Sequence, residues 1–508
     1  MKMNLLDRAI GYIDPARAAK RVRSRAAIEI MKRSYSGASR GRLNGEWHRT
    51  SSSADSEIGR ASTLLRDSMR DLVRNNPHAA NAVEVLVSHV IGTGIIPRAN
   101  TGSAAKDKKI NALFDKFSKK CDADGQLDFY GVSALAFRGM IESGDGLVRR
   151  RRRRLEDKLP VPLQYQVVET DLIDSAKQGV VSDGRVAIQG IEFDALGSRK
   201  VYWMFPDHPG NSHLGLSLDL ASKAIPASEI AHVYRKHRTQ VRGVPWGSAV
   251  ISSLFDLGTY EEAELIRKKL EACMVGVVLG GDEADFALGA ALNPEAQRAF
   301  GVRDSDGVIV DKFEPGMFVH AEGGKDVKFN QPAATGSYEG YKRASLHTIA
   351  AGFHIPYLLL SHDLSGANYA SSKMGFGPFI RMIEALQWQF VIPMLLQPMW
   401  EWFCEAAFLA GSIPSSDIPV NWMTPRMYSA DPEKDARATV LEVRNGLKPL
   451  STAIGERGYD ADEVLDEYAA TNKKLDDRKL VFDSDPRKQS ANGQKQAPGD
   501  GGGSTPPE

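Results

Sequence analysis

The sequence predicts an α+β chain. Three observations carry that prediction. Apolar residues recur at helical spacing over long stretches near 56–90, 251–278 and 371–409. Short β-branched and aromatic runs at 164–169, 186–193 and 200–205 have the character of sheet strands. A length of 508 residues with 42% hydrophobic content is enough to bury a real core in more than one structural part.

The first 55 residues read as a basic arm, with twelve Lys or Arg against four Asp or Glu over positions 1–50. Such an arm either touches phosphate or an acidic neighbour, or stays solvated. A break at Ser51 to Ser53 precedes the first helix. Leu64, Leu65, Leu72, Val73, Ala79, Ala82, Val83 and Leu86 mark its apolar side, and Asn75-Asn76-Pro77 closes one helix and opens another. Helices are expected at 105–120 and 130–142, before Gly144-Asp145-Gly146 turns the chain into strands. A long helix over 251–278 carries Phe255, Ala263, Ile266, Leu270 and Met274 on one side. A glycine-rich insertion at 279–333 follows, with a strand at Val327 to Phe329, and helix returns at 337–352. Ser371 to Leu409 reads as another long helix. Shorter ones are expected at 431–445 and 460–473, the latter starting on a capping-box-like Asp460 and Glu463. From Ser484 the chain is polar and glycine-rich and reads as a disordered tail.

A formal charge of +1, from 65 basic and 64 acidic residues, excludes a uniformly basic nucleic-acid binder and makes local charge the relevant quantity. Cys121, Cys273 and Cys404 have no zinc or disulfide spacing and read as ordinary thiols of a reducing compartment. The N-terminus lacks the apolar core of a secretory signal, so export is not expected. The apolar stretch between Glu384 and Glu401 contains three glutamines and two prolines, and reads as a buried, kinked helix rather than a membrane span.

Six consecutive arginines, Arg149, Arg150, Arg151, Arg152, Arg153 and Arg154, repel one another and need partners or water. As a strand they alternate, with Arg149, Arg151 and Arg153 on one face and Arg150, Arg152 and Arg154 on the other. Such faces can be solvated, can meet DNA phosphate, or can meet an acidic neighbouring subunit. No helix-turn-helix, zinc finger or aromatic stacking motif points to base reading. Gly92-Thr93-Gly94 and Gly280-Gly281-Asp282 lack the Lys-Ser/Thr ending of a nucleotide loop. Glu142, Asp145, Asp171 and Asp194 could form a two-metal nuclease cluster, although structural loop acids are the stronger reading. His354 reads as packing, and the adjacent Ser361-His362-Asp363 is no evidence of a triad.

Several segments, taken in order, resemble the lambda-type phage portal proteins. They are Arg70 to Ala82 (RDLVRNNPHAANA), Glu169-Thr170-Asp171-Leu172, Gly190-Ile191-Glu192-Phe193-Asp194 with Gly197 and Tyr202, and Arg242-Gly243-Val244-Pro245 before the helix carrying Tyr260, Ala263 and Glu264. Gly352-Phe353-His354-Ile355-Pro356-Tyr357, Ser365 to Ser372, and Asp431-Pro432 with Lys434, Asp435 and Ala438 complete the set. Together they span roughly residues 60–475.

The resemblance implies a non-enzymatic subunit with no cofactor. It implies a homo-oligomeric ring, typically of twelve, at one vertex of the phage head, through which double-stranded DNA passes without sequence specificity. The terminase, head-tail connector proteins and the major capsid protein or scaffold are the implied partners, and host cytoplasm is the site of assembly. The implied parts are an α+β wing (56–250 and 353–430), a helical stem (251–278 and 334–352), a small mixed clip (279–333) and a helical crown (431–483). The N-terminal arm (1–55) and tail (484–508) flank them. Ser365, Gly366, Ala367, Asn368 and Tyr369 are the expected tunnel loop. Lys268, Lys269, Lys342 and Arg343, with the arginine run, are candidates for channel or intersubunit electrostatics, and Glu261, Glu262 and Glu264 for pairing across subunits. The alternatives are a metal-dependent nucleic-acid-processing enzyme on the four carboxylates, and a scaffold or membrane-peripheral protein using its basic arm.

Overall fold

The computed structural model describes residues 51–181, 184–211, 220–272, 276–279, 318–320, 326–329, 338–365, 369–425, 432–459, 461–480 and 482. The chain divides into two units at Glu57 and Ile58. In the first, Ser53 Oγ accepts a hydrogen bond from the Ser56 amide at 3.2 Å, at the start of helix α1 (Ala54–Asn75). All that follows concerns the second unit.

Helix α2 (Pro77–Val90) begins where the sequence demands. The Asn76 carboxamide oxygen accepts from the amides of His78 and Ala79 at 3.0 and 3.2 Å, and Pro77 occupies the first turn, where a missing N–H costs nothing. Strand β1 (Ile96–Ala99), helix α3 (Ala104–Ser118) and helix α4 (Phe129–Ser143) follow. Asp128 caps α4 through the Gly131 amide, and Gly144 ends it at φ 91°, a left-handed conformation that favours glycine. The chain then enters β2 (Asp145–Arg152), the middle strand of a sheet of order β3-β2-β9, with β3 at Leu163–Val168 and β9 at Ile230–Tyr234.

Between β3 and β9 lies a five-stranded antiparallel sheet: β4 (Gly179–Val180), β5 (Val186–Ile188), β6 (Ile191–Phe193), β7 (Arg199–Met204) and β8 (Lys223–Pro226). The single strand expected over 186–193 is therefore two, folded back at Gln189 and Gly190, both at positive φ. Helix α5 (Ile251–Ala272) is shorter than the helix expected to 278. By Gly276 the chain is a strand, β10 (Gly276–Leu279), which pairs in parallel with β11 (Phe318–His320) and antiparallel with β12 (Asp326–Phe329). Gly-Val-Val-Leu suits a strand better than the Glu- and Lys-rich helix before it.

Helix α6 (Tyr338–Phe353) and the short α7 (Tyr357–Ser361) lead to a long helical stretch made of α8 (Tyr369–Leu386), a π-helical segment Gln387–Leu396 and α9 (Gln397–Leu409). Pro393 has no N–H to give, and the ladder changes register around it. By length and composition Met374–Leu409 could cross a membrane. Its Ile383, Val391, Leu395, Leu396, Met399, Trp400 and Phe403 are instead buried in the main core, against Phe114, Phe117, Phe129 and Tyr165. Strand β13 (Val420–Met423) pairs with β1. The two helices expected after residue 430 are three: α10 (Pro432–Arg444), α11 (Leu450–Gly455) and α12 (Ala461–Asp477). Asp460 and the N-terminal arm to residue 50 lie outside the described residues, as does the tail from residue 484.

Because the Asn76 carboxamide satisfies two otherwise orphaned amides, Asn76→Ala is expected to lower stability by about 1 kcal/mol and Asn76→Asp by much less. Urea unfolding of the two variants beside the parent checks this.

Candidate functional site

One buried aspartate ties two of the quoted segments, 169–172 and 242–245, to the start of β2. Asp145, 2% exposed, accepts from Arg242 Nε at 2.9 Å, from His232 Nε2 at 3.0 Å and from the Gly243 amide at 2.6 Å. Its own carbonyl accepts from Thr170 Oγ1 at 2.9 Å. Burial pushes the Asp145 carboxyl up, but the Arg242 charge and the His232 bond outweigh it and hold it well below the usual carboxylate range. His232 Nδ1 lies 2.8 Å from the guanidinium of the mostly buried Arg199, which can only donate. The ring is therefore neutral with its proton on Nε2, and burial pushes its pKa down to about 4. Around this node Gly144 and Gly243 pass so closely that a Cβ on Gly243 would lie 1.9 Å from the Gly144 carbonyl oxygen.

A second, more exposed network lies beside it. Asp171 sits 3.1 Å from Arg66 Nε and 2.7 Å from Arg70 Nη2, and Arg70 Nε donates to Ser143 Oγ at 3.1 Å. Glu169, Asp171 and His208 bring ligand-type atoms within 4.8 Å of one another. The two guanidinium groups already supply positive charge to Asp171, so an ion-pair network accounts for the cluster. Asn81 links α2 to α7, donating to the Leu359 and Leu360 carbonyls at 2.7 and 2.9 Å. Trp246 Nε1 donates to the Phe353 carbonyl at 2.8 Å. The quoted segments 70–82, 169–172 and 242–245 thus join elements that are distant in sequence.

Several residues of the expected stem have partners inside the chain. Lys342 on α6 reaches Glu261 on α5 at 2.7 Å, and Tyr260 packs against Tyr341 and Tyr338 beside it. The bond to Glu261 raises the Lys342 pKa above its ordinary value. Glu264 forms a two-bond pair with Arg267 one turn on. Glu261, Glu264 and Lys342 thus each have an opposite charge within the same chain. Glu262, Lys268, Lys269 and Arg343 are exposed.

The arginine run is a strand only through Arg152. Arg150 is buried and donates to Glu405 Oε2 at 2.7 Å, with Arg152 4.0 Å from the other oxygen. Arg150 thus has its partner acid within the chain. Arg151 and Arg153 donate to the Gln166 and Gln164 carboxamide oxygens, both at 2.7 Å. Arg154 leaves the strand and is exposed. Of the expected tunnel loop, Ser365 is tied to Asp363, Tyr369 is already helical, and Gly366, Ala367 and Asn368 lie outside the described residues.

Among the described residues, the four carboxylates of the nuclease alternative form no common metal-type group. Glu142 pairs with Arg138, Asp145 and Asp171 have separate arginines, and Asp194 closes the turn between β6 and β7 through the Leu196 and Ser198 amides. Ser361, His362 and Asp363 point to different partners, Tyr357, Asn81 and Ser365. His354 sits at φ 56° against the edge of Trp246. Cys121 and Cys404 are buried free thiols, and burial pushes Cys404 up to about 12. Cys273 and Gly280-Gly281-Asp282 lie outside the described residues.

The sequence model of the phage portal protein, lambda family, matches residues 40–387, well over half of the chain. The chain belongs to that family. A probable portal protein of Halomonas phage phiHAP-1 is 26% identical over 462 residues, covering 86% of each chain. Among solved structures, the neck of an empty GTA particle computed with sixfold symmetry aligns at 14% identity and TM-score 0.42, over 78% of this chain and 93% of that one. An HK97 family phage portal protein from Corynebacterium diphtheriae aligns at 13% and 0.32, over 73% and 98%. This portal protein is a structural component of the phage particle, the DNA conduit of the head used in packaging, tail joining and ejection. The family is structural, which points away from enzymatic activity.

Two outcomes are expected of this portal protein. Unfolded histidine takes up a proton near pH 6.5, whereas folded His232 resists protonation down to about pH 4. The stability it contributes is fully present above about pH 6.5 and is lost as pH falls through 4. Thermal unfolding across that window should show the decline, and His232→Gln should make it shallower. Glu405→Ala leaves Arg150 buried and unpaired, at a cost of roughly 1–3 kcal/mol, and adding Arg150→Met should recover most of it. Denaturation of the single and double variants checks the pair.

Proposed function

We propose that this portal protein works as a closed homo-oligomeric ring, typically of twelve copies, at the portal vertex, after assembly in the host cytoplasm. Double-stranded DNA passes along its axis without sequence reading. The supporting observation is the stem: α5 and α6 are joined side by side by Lys342–Glu261 and the Tyr260 cluster, and the strands β10, β11 and β12 are inserted between them in sequence. A hairpin of long helices interrupted by a small sheet gives a rigid post with a distal platform. The platform is the docking part for the terminase and then the head-tail connector, and the wing meets the major capsid protein or scaffold. Helices α10, α11 and α12 form the crown.

Lys269 and Arg343, which among the described residues have no close partner acid on the facing helix, together with Lys268, line the channel or the seam between copies. The turn at Ser365, before α8, borders the constriction. A moving duplex needs weak, replaceable phosphate contacts, and exposed side chains on long stems provide them. ATP hydrolysis belongs to a partner.

Electron cryomicroscopy of the full-length protein, with stoichiometry from native mass spectrometry, tests this. A closed ring with an axial opening wide enough for a duplex, walled by α5 and α6, is the expected result. A ring in which these helices face outward overturns the stem assignment. A species that stays monomeric with its capsid and terminase partners present overturns the conduit.

A further inference from the structure

The two faces of β2 treat their arginines differently. The inner face carries Arg150 and Arg152, which share Glu405. On the outer face the register pairs Arg149 with Gln166 and Arg151 with Gln164, and Arg153 extends the row through its amide bond to the Pro162 carbonyl. Alternate residues of a strand stand about 6.7 Å apart, so three guanidinium groups form an evenly spaced line.

Neutral groups orient that line. Gln164 donates its amide hydrogens to the carbonyls of Lys120 and Asp122 at 3.2 and 2.7 Å, which fixes its oxygen toward Arg153 Nε. Gln166 holds Arg151 Nε in the same way. Each bond engages Nε and leaves the two-nitrogen end of the guanidinium to solvent. Carboxylates at positions 164 and 166 would orient the arginines equally well and cancel their charge; carboxamides orient them and leave it. Glu229 is the one carboxylate that acts on Arg149 and Arg151 across this face, and it forms no ion pair with either within 4.0 Å among the described residues. Arg149 Nε is buried with no hydrogen-bond partner. Burial lowers the Arg149 and Arg151 pKa values, and for Arg151 the flanking Arg149 and Arg153 lower it further, as expected of a row short of counter-charge.

We infer that Arg149, Arg151 and Arg153 form a phosphate-binding stripe on the outer face of the wing sheet that takes the backbone of double-stranded DNA. The inference deepens the conduit reading, because it gives that reading's DNA a contact away from the stem. Planar guanidinium ends match phosphate oxygens two at a time, and a regular row of cations suits a regular row of anions better than scattered carboxylates. An acidic face of a second copy is the competing occupant.

The test uses the full-length protein and a short DNA duplex, with binding followed by fluorescence anisotropy between about 50 and 200 mM salt. The triple variant Arg149→Gln, Arg151→Gln, Arg153→Gln is expected to bind at least about tenfold more weakly at the low-salt end, with a salt slope shallower by about 2 to 3. The variant Arg152→Gln, Arg154→Gln should lose distinctly less. Equal losses in the two variants, or wild-type binding by the triple variant, overturns the inference. Arginine-specific labelling of the unaltered protein with phenylglyoxal, read by mass spectrometry, needs no substitution: DNA should protect residues 149, 151 and 153, and absence of protection also overturns it. If the triple variant keeps its DNA affinity but no longer forms rings, the stripe faces a second copy and the portal reading stands. Failure of the unaltered protein to form any ring counts against the portal reading and is seen separately by native mass spectrometry.

Discussion

The Asp145 carboxylate is the constraint on which the α+β body around β2 depends. A carboxylate this deeply buried must be answered by charge and hydrogen bonds, and it is answered from three places: Arg242, His232 and the Gly243 amide. Those groups lie 87 to 98 residues away in sequence, so the node fixes where β9 and the segment after it return to β2. It also fixes the hand-over from helix to strand, since Gly144 ends α4 one residue earlier and is pressed against Gly243. Arg199 stands behind the His232 ring, whose neutral Nδ1 accepts from it while Nε2 faces Asp145. The small sheet and the main core meet at this node, with Tyr202 against the His232 ring on one side and Ala231 and Val233 in the core on the other.

Much of the fold was legible because its signals are local. Asn75-Asn76-Pro77 names its own break, since the cap and the proline act within three residues. The long helix after residue 371 was legible from apolar content interrupted by prolines. Helix α5 was expected to run too far, because the apolar periodicity runs on into Gly276-Val277-Val278 although β-branched residues there pair in a sheet. The two strands from 186 to 193 looked like one because their turn is only Gln189 and Gly190, without the usual Asn-Gly signature.

The site was legible in its pieces and not in its assembly. Arg70, Asp171, Arg242 and Gly243 were all marked by the family pattern, yet nothing local says that they surround one turn. Asp145 looked like a loop acid beside two glycines, and His232 carried no signal, lying in a short strand that the sequence reading omitted. Long-range pairing of buried charges leaves no periodicity, so only the folded chain shows it. The arginine run shows the reverse. Alternation along a strand was readable, but which face would be neutralised depended on Glu405, some 255 residues away.

The near-neutral total charge and the local arginine row are parts of one design. Where arginines and acids hold the frame they are buried and paired, as at Asp145 and Arg150, and such pairs resist both salt and exchange with water. Elsewhere its cations are exposed or oriented by neutral amides, as at Lys269, Arg343 and the outer face of β2, the groups proposed above to meet DNA. A conduit needs both classes at once. Strong fixed pairs hold a frame rigid, and weak solvated cations would let a polyanion pass from one contact to the next without a deep energy well. A chain with a large net positive charge would attract DNA more strongly and release it more slowly, so a balance near zero with local asymmetry is the arrangement that transport favours.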